Sequence, residues 1–176
     1  MKKKNEQQLD TSILSLMEDL GLVKEDNDGP LTEELIIAFL EDRGAFDIEA
    51  GDSVIWFRVD DRNGYRINLS YLPIVGFETG SIIRQDDGIP DAAIFRAAKE
   101  ATESVDLVKV AYWESMHLAH FVIEALHPDA RSFFRNFDEY IKHLDEAYSF
   151  FFNLCKNYRV EQMMDLVKDV HNGMSS

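Results

Sequence analysis

The sequence is poor in cysteine, because Cys155 is the only one in 176 residues. A single thiol cannot form a disulfide within the chain, and chains without disulfides are typical of reducing compartments. A secretory signal is not expected either, because the lysines at positions 2–4 are followed by the polar residues 5–12 and not by an apolar stretch. We therefore expect a cytoplasmic protein.

Basic residues are also scarce, since 18 Lys and Arg stand against 33 Asp and Glu and give a net charge of −15. A field of this sign repels the phosphates of nucleic acids and the headgroups of anionic lipids. Uninterrupted apolar runs of about 18 residues, the length that a membrane-spanning helix needs, are absent from the sequence. We therefore expect neither nucleic acid nor a membrane as a partner.

The remaining composition, with 45% hydrophobic and 29% charged residues, is that of a globular protein. Residues 9–20 place apolar side chains at helical spacing, and the charged, turn-rich residues 24–30 follow as a linker. We therefore divide the chain into an N-terminal helical arm with its linker (1–30), a main domain (31–155) and a C-terminal tail (156–176). Because an isolated helix of about 12 residues is marginal in water, we expect the arm to dock on its own domain or on a neighbouring chain.

Hydrophobic periodicity predicts an α+β fold with an antiparallel sheet for the main domain. A period near 3.6 residues marks helices, alternation marks strands, and the dipeptide Asn63-Gly64 is a strong hairpin signal. The expected order is α-ββββ-α-ββ-α, because helices and strands do not alternate regularly. Helices are predicted at 31–44, 89–104 and 129–155, strands within 46–83 and at 105–113 and 116–126, and one or two amphipathic turns of the tail at Val160, Met163, Met164 and Val167.

The segment MHLAHFVIEALHP, residues 116–128, combines side chains that bind metals. Its members are spaced three, four and three residues apart, which would place them on one face of a helix: His117, His120, Glu124 and His127. Three imidazoles and a carboxylate on one face would suit zinc or iron. A metal-dependent enzyme or a metal sensor is therefore one alternative, and it requires a helix over 116–127.

A β-strand is the preferred interpretation of the same segment. β-Branched and aromatic residues are dense in 105–126, and on a strand His117 and His120 point to opposite faces of the sheet. A two-residue turn after Trp113 would place Lys109 opposite His120 in a hairpin. On this interpretation no metal and no cofactor is expected.

The sequence contains no recognisable catalytic motif. It has no phosphate-binding loop, no GxGxxG and no GxSxG nucleophile elbow. Cys155 lies on the same helical stripe as Leu144 and Phe151, which predicts a buried, inert thiol and not a nucleophile. We therefore do not expect an enzyme. A small-ligand sensor is a further alternative, with a pocket between the sheet and the aromatic face of the closing helix, at Phe133, Phe137 and Tyr148.

The order and polarity of the predicted elements resemble the YbjN-like family of proposed bacterial sensory transduction regulators, which is similar in fold to type III secretion chaperones. The resemblance covers residues 31 to about 155 and is carried by the segments LTEELIIAFLED, VIWFRVD, YRINLSY, DAAIFRAAKEATES, VDLVKVAYW, HLAHFVIEAL and FFRNFDEYIKHLDEAYSFF. It implies a small acidic protein that is not an enzyme and that forms homodimers. It also implies that partner segments bind in extended form along sheet and helix surfaces.

Two groups of residues are candidates for these contacts. A partner polypeptide is expected on apolar side chains that alternation places outside the main core: Val54, Trp56, Leu118 and Val122. A second copy of the chain is expected on the small side chains of the middle helix, which allow close approach: Ala93, Ala97 and Ala101. Together these features predict a dimeric protein-binding module, either a chaperone or a regulatory adaptor.

Overall fold

The computed structural model describes residues 29–61, 63–84 and 87–173. Its helices are α1 (Glu33–Asp42), α2 (Asp91–Ser104) and α3 (Ala130–Gly173), and its strands are β1 (Phe46–Gly51), β2 (Val54–Arg58), β3 (Gly64–Tyr71), β4 (Ile74–Ile82), β5 (Lys109–Trp113) and β6 (Leu118–Leu126). The strands form a six-stranded sheet in the order β1-β2-β3-β4-β6-β5. The predicted α+β class and the order α-ββββ-α-ββ-α are therefore confirmed. The predicted arm helix at 9–20 lies outside the described residues.

The chain divides into two compact units, and the first comprises residues up to 75 together with 125–137. Helix α1 begins where the Thr32 hydroxyl accepts a hydrogen bond from the Leu35 N–H at 3.3 Å, as expected of an N-cap. An aromatic cluster fills the core of this unit. Phe39 stacks on Phe134 with ring centroids 4.5 Å apart, and Phe57 lies 5.8 Å from Phe137.

The β2–β3 hairpin of the first unit follows the sequence pattern. The strands pair antiparallel, with Ile55 opposite Ile67 and Phe57 opposite Tyr65, and all four side chains are buried. Gly64 is the first residue of β3 and lies opposite Arg58. The predicted hairpin is therefore confirmed, but Gly64 belongs to β3 and the connection between the strands ends at Asn63.

The second unit comprises residues 76–124 and those from 138 onwards. Its core lies between the β5–β6 hairpin and two helices. Phe121 of β6 lies 5.5 Å from both Tyr148 and Phe151 of α3, and Tyr112 of β5 lies 5.2 Å from Phe95 of α2. One face of this hairpin therefore points toward the helices, and the other face points away from them.

The register of the β5–β6 hairpin differs from the prediction by two residues. Lys109 lies opposite Val122, and His120 lies opposite Ala111, so the predicted pairing of Lys109 with His120 was wrong. The connection is longer than two residues: Glu114–Met116 form a 3-10 turn, and His117 follows in the left-handed conformation with φ 48°. Two-residue hairpin loops need positive φ values that Asn and Gly adopt most readily, and neither residue occurs here.

Helix α3 continues through most of the segment that the sequence analysis separated as a tail, and it ends only at Gly173. Residues 156–170 contain neither proline nor glycine, and Lys, Arg, Glu, Gln and Met in this stretch are good helix formers. Although α3 has 44 residues, charged side chains recur along it, and none of the described helices carries an apolar stretch that could cross a bilayer.

Candidate protein-binding surfaces

The first unit exposes a surface of aromatic and arginine side chains on the sheet face that points away from its core, which we call the Trp56 surface (Phe46, Val54, Trp56, Arg58 and Arg66). Trp56 is 50% exposed, whereas its neighbours Ile55 and Phe57 are buried. The register places Trp56 opposite Arg66, and Phe46 opposite Arg58. Val54, a predicted partner-binding residue, lies half-buried on the same face.

Arginine pairs with aromatic rings twice on the Trp56 surface. The guanidinium of Arg66 lies 5.2 Å from the centre of the Trp56 ring, and that of Arg58 lies 5.5 Å from the Phe46 ring. Such cation–π contacts are worth about 0.5–1 kcal/mol at exposed sites. Tryptophan and arginine are also the residue types most enriched among the side chains that dominate protein–protein binding energy.

The second unit exposes a different surface on the corresponding face of the β5–β6 hairpin, which we call the Trp113 surface (Lys109, Trp113, Leu118, His120, Val122 and Glu124). Trp113 is 44% exposed and lies directly opposite Leu118. Leu118 and Val122, both predicted partner-binding residues, are half-buried and alternate with the buried Ala119 and Phe121. The predicted outward orientation of Leu118 and Val122 is therefore observed, and the binding of a partner there stays a prediction.

A buried carboxylate lies next to the Trp113 surface, on the neighbouring strand β4. Glu78 of β4 is only 6% exposed, and its Oε2 lies 3.0 Å from Nε2 of His120. The ring of His120 in turn lies 5.1 Å from the ring of Trp113. Burying a carboxylate is costly unless hydrogen bonds compensate it, so this contact favours the position of the imidazole next to the indole.

A charged pair borders the Trp113 surface. The ammonium of Lys109 lies 2.7 Å from Oε2 of Glu124, and both side chains are exposed. An apolar centre with a polar border is the usual composition of a protein–protein interface. Alternation along the strand places His120 and Glu124 on the same face as Leu118 and Val122, but it gives no sign of Glu78. The contact between Glu78 and His120 joins residues 42 positions apart, which no local pattern encodes.

Both edges of the sheet are protected against the addition of a further strand. At β5, the hydroxyl of Thr102 accepts the N–H of Val110 at 2.9 Å and so occupies a backbone donor on the outer edge. At β1, the register shifts between Phe46 and Glu49, and Asp47 has a positive φ of 51°. Irregular or covered edges of this kind prevent unwanted strand pairing. A partner is therefore expected on the faces of the strands and not on their edges.

The alanines proposed for a dimer interface do not lie on the surface. Ala93, Ala97 and Ala101 are all buried in the second unit. They lie on the inner face of α2, where small side chains permit close packing against the chain itself. Their side chains are therefore not available to a second copy, and the dimer itself stays a prediction.

The histidines and glutamate of the predicted metal cluster do not form a helical stripe. Residues 118–126 form β6, and His117 lies in the preceding turn, so the helix that the metal alternative requires is not present. Among residues 29–61, 63–84 and 87–173, no group of three or more His, Cys, Asp and Glu side chains is arranged to hold a metal ion. The helical spacing in the sequence was therefore misleading.

His117 instead belongs to a hydrogen-bonded group at the start of α2. The hydroxyl of Tyr112 donates to Oδ1 of Asp91 at 2.8 Å and lies 3.1 Å from Nδ1 of His117. Burial, together with the hydrogen bond to Asp91, raises the pKa of Tyr112 to about 12. The phenol is therefore protonated at neutral pH and links the N-terminus of α2 to the end of β5.

His127 is a core residue of the first unit. Its side chain is buried, its Nδ1 lies 3.3 Å from the Ser132 hydroxyl, and its ring meets that of Phe133 edge-on at 5.5 Å. Burial lowers the pKa of His127, because the charged imidazolium loses more solvation than the neutral ring. The chemistry of this histidine is therefore that of a neutral core side chain.

Cys155 is buried in the second unit, as predicted. Burial raises the pKa of its thiol to about 11. Since the thiolate is the nucleophilic form of cysteine, this side chain is almost entirely unreactive at neutral pH.

A groove of about 690 Å³ lies in the second unit between the end of α2 and the outer side of α3. Its lining mixes the apolar Val105, Ile141 and Phe150 with the acidic Asp138, Asp145 and Glu146. This position differs from the pocket predicted for a small-ligand sensor. In the first unit Phe133 and Phe137, which were expected to line that pocket, pack on Phe39 and are buried.

The same fold occurs in a known crystal structure. YbjN from E. coli, a proposed transcription regulator, matches with a TM-score of 0.52 and 13% sequence identity, over 75% of this chain and 94% of that chain. The chain adopts a YbjN-like fold. The resemblance found in the sequence is therefore confirmed for the fold. No protein-family model and no curated protein matches the sequence.

Proposed function

We propose that this chain is a non-enzymatic, dimeric protein-binding module of the cytoplasm, either chaperone-like or a regulatory adaptor, and that a partner polypeptide binds to the Trp56 and Trp113 surfaces. The proposal does not depend on the sheet edges, which the structure protects. It uses the faces of the strands, where apolar side chains are exposed in rows.

The exposure of the two tryptophans carries the proposal. The chain has only two, and both lie about half-exposed on strand faces that point away from the helices. Tryptophan is highly buried on average, and a large exposed apolar side chain within a patch marks an interaction site more often than a lone exposed leucine does. Two of two tryptophans in this position are difficult to explain by folding alone.

Three further observations agree with a binding role. Burial raises the pKa of the Cys155 thiol to about 11, which disfavours this side chain as a nucleophile. The net charge of −15 disfavours direct contact with DNA. YbjN, which has the same fold, is a proposed transcription regulator. If this chain also regulates transcription, we infer that it does so through another protein.

Affinity capture from the organism that encodes the chain tests the proposal. The chain is used as bait in four forms: wild type, Trp56→Ala, Trp113→Ala and the control Tyr71→Ala, whose side chain is 77% exposed at the end of β3. We expect a polypeptide that wild type and Tyr71→Ala retain and that each tryptophan variant loses. A truncated hot-spot side chain typically costs about 2 kcal/mol or more, which is roughly a 30-fold loss of affinity. Equal retention by all four baits would contradict the proposal.

A further inference from the structure

The groove on the outer side of the helices in the second unit has the size of a binding site for a polypeptide segment. We call it the acidic groove (Ser104, Val105, Asp138, Ile141, Asp145, Ser149 and Phe150). It has a volume of about 690 Å³, and its lining follows α3 from Asp138 to Asn153 beside the end of α2. At about 1.5 Å per residue, this stretch of α3 is about 22 Å long. The groove therefore suits a partner helix of about four turns.

Apolar side chains are accessible within the acidic groove. Phe150 of α3 is 37% exposed, and Val105 and Ile141 are half-buried. An amphipathic helix that binds in a groove buries its own apolar stripe against side chains of this kind. These three residues are therefore the apolar anchors that the acidic groove offers to a partner.

The charged side chains that line the acidic groove are mostly negative. Asp138, Asp145 and Glu146 stand against one cation, Lys142, which lies 3.6 Å from the carboxylate of Glu146. The end of α2 has the same sign, because the C-terminus of a helix carries a partial negative charge and the last turn of α2 contains no basic residue. The acidic groove therefore complements a cationic partner.

Asp138 and Asp145 determine the spacing that the cations of a partner would need. The two residues lie seven positions apart on α3, which is about 10.5 Å along the helix axis. At about 100° per residue, their side chains leave the helix within about 20° of each other. A partner helix with Lys or Arg at two positions seven residues apart would therefore face both carboxylates.

The charge of the acidic groove disfavours other occupants. A two-fold interface pairs a surface with its own copy, so a second copy of this chain would bring the carboxylates of both grooves together. Nucleic acids and anionic lipids are repelled by the same field. A basic segment of another protein remains as the occupant that the charges favour.

We propose that the acidic groove binds a basic amphipathic helix of a partner protein. Apolar side chains of that helix pack on Val105, Ile141 and Phe150, and two of its cations pair with Asp138 and Asp145. The Trp113 surface lies on the sheet face that points away from the helices, so the acidic groove is a separate binding surface. The proposal does not depend on partner binding at the Trp56 and Trp113 surfaces.

Fluorescence anisotropy with a synthetic peptide and the full chain tests the proposal. The probe is a labelled, helix-forming peptide of about 15 residues, the length that spans the groove, with leucines in one stripe and lysines seven residues apart. The control peptide has the same composition, but its leucines are scattered around the helix. Binding is measured at about 0.15 M salt, where charges more than about 8 Å apart are largely screened. We expect wild type to bind the striped peptide several-fold more tightly than the scattered one, and equal affinities would overturn the proposal.

Two matched double variants test the role of the groove carboxylates. Asp138→Asn/Asp145→Asn removes both, and we expect roughly a tenfold loss of affinity for the striped peptide, because two surface ion pairs are lost. Glu161→Gln/Asp165→Asn changes the net charge equally at exposed positions of α3 outside the groove and is expected to bind like wild type. Equal losses in the two variants would show that the peptide responds only to net charge, and would overturn the proposal.

A cation placed in the groove provides a second variant. Ser149 is exposed and lies in the same row as the two aspartates, so Ser149→Arg is expected to abolish binding of the striped peptide by filling the groove and repelling its lysines. Ser149→Ala is the control and is expected to bind like wild type. Undiminished binding by Ser149→Arg would overturn the proposal.

Photocross-linking of the striped peptide identifies where it binds. We expect cross-links within residues 104–105 and 138–153. Cross-links confined to 54–66 or 109–124 would assign the peptide to a tryptophan surface and overturn the acidic groove, but they would leave the function proposed above intact. A Lys2→Gln/Lys3→Gln/Lys4→Gln variant that binds the peptide more tightly than wild type would show that the chain's own lysines occupy the groove, and would overturn a partner as its occupant.

Discussion

The two tryptophans lie on similar strand faces, but different chemistry supports them. In the first unit Trp56 is held by Arg66, which is itself at the surface. In the second unit Trp113 lies against His120, which is bound to the buried carboxylate of Glu78. The Trp56 surface therefore has its support among partly exposed side chains, whereas the Trp113 surface is linked through His120 to a buried carboxylate. We expect changes at His120 to affect stability as well as the proposed partner binding.

Removing the polar support of Trp113 is expected to have the largest effect on stability. His120→Leu takes away the imidazole at 3.0 Å from Glu78, and we expect a loss of about 2 kcal/mol in the free energy of unfolding, because a buried carboxylate loses a hydrogen-bond partner. Urea unfolding followed by circular dichroism measures the loss. The control is Lys109→Ala, which breaks only an exposed ion pair and is expected to cost less than about 1 kcal/mol. Equal costs would show that Glu78 does not depend on His120.

The buried histidine of the first unit, His127, is expected to make the stability of the fold depend on pH. Because the pKa of His127 is lowered in the folded state, the unfolded chain binds a proton first as the pH falls below about 6.5. Stability should be unaffected above that pH and fall below it, by at most about 1.4 kcal/mol per pH unit until the folded-state pKa is reached. Unfolding measured from pH 7.5 to 5.5 should show a smaller fall for His127→Gln than for wild type. An identical fall in both would show that the loss of stability at low pH does not come from protonation of His127.

The hydrogen bond that covers the β5 edge of the second unit is expected to contribute about 1 kcal/mol to the free energy of unfolding. Thr102→Val keeps the shape of the side chain but removes the hydroxyl that accepts the Val110 N–H, and a single lost hydrogen bond typically costs this much. The exposed edge should also promote self-association at high concentration, which sedimentation velocity detects. Thr102→Ser, which keeps the hydroxyl, is the matched control. A Thr102→Val variant that stays as stable and as dispersed as Thr102→Ser would contradict the role of this hydroxyl.

The support of Trp56 is expected to contribute least to stability. Arg66→Ala removes the cation–π contact between a half-buried guanidinium and the half-exposed Trp56, and such contacts near the surface are worth about 0.5–1 kcal/mol. The same variant should nevertheless weaken partner binding, since the guanidinium fixes the indole on the Trp56 surface. Parallel measurements of unfolding and of partner affinity separate these effects. A large loss of stability in Arg66→Ala would contradict the claim that the Trp56 surface contributes less to stability than the Trp113 surface does.

Local patterns in the sequence predicted the fold because the periodicity of the apolar residues agrees with the helices and strands of the structure. The alternation of Ile55 and Phe57 with Trp56 identified the buried and exposed faces of β2, and Asn63-Gly64 identified the hairpin, although Gly64 itself belongs to β3. The predicted register of the β5–β6 hairpin was wrong because it depended on a backbone conformation that residue types do not determine. The β5–β6 connection includes a left-handed His117, and the two extra residues in that turn displaced the predicted register.

The candidate surfaces were predicted only in part for a related reason. Alternation identified Val54, Trp56, Leu118 and Val122 as outward-facing, but it could not reveal the pairing of His120 with Glu78. For the alanines of α2 the pattern was correct, but the interpretation of it was wrong. Small residues on one helix face permit close packing, and the pattern does not say whether the chain itself or a second copy packs there.

Hydroxyl-radical footprinting of the captured complex tests the central claim most directly. It reports the oxidation of Trp56, Trp113 and Tyr71 in the same sample, first in the isolated chain and then with the partner bound. We predict that oxidation of both tryptophans falls several-fold in the complex while that of Tyr71 is unchanged. Unchanged oxidation of both tryptophans would contradict the claim that the partner binds to the two strand faces.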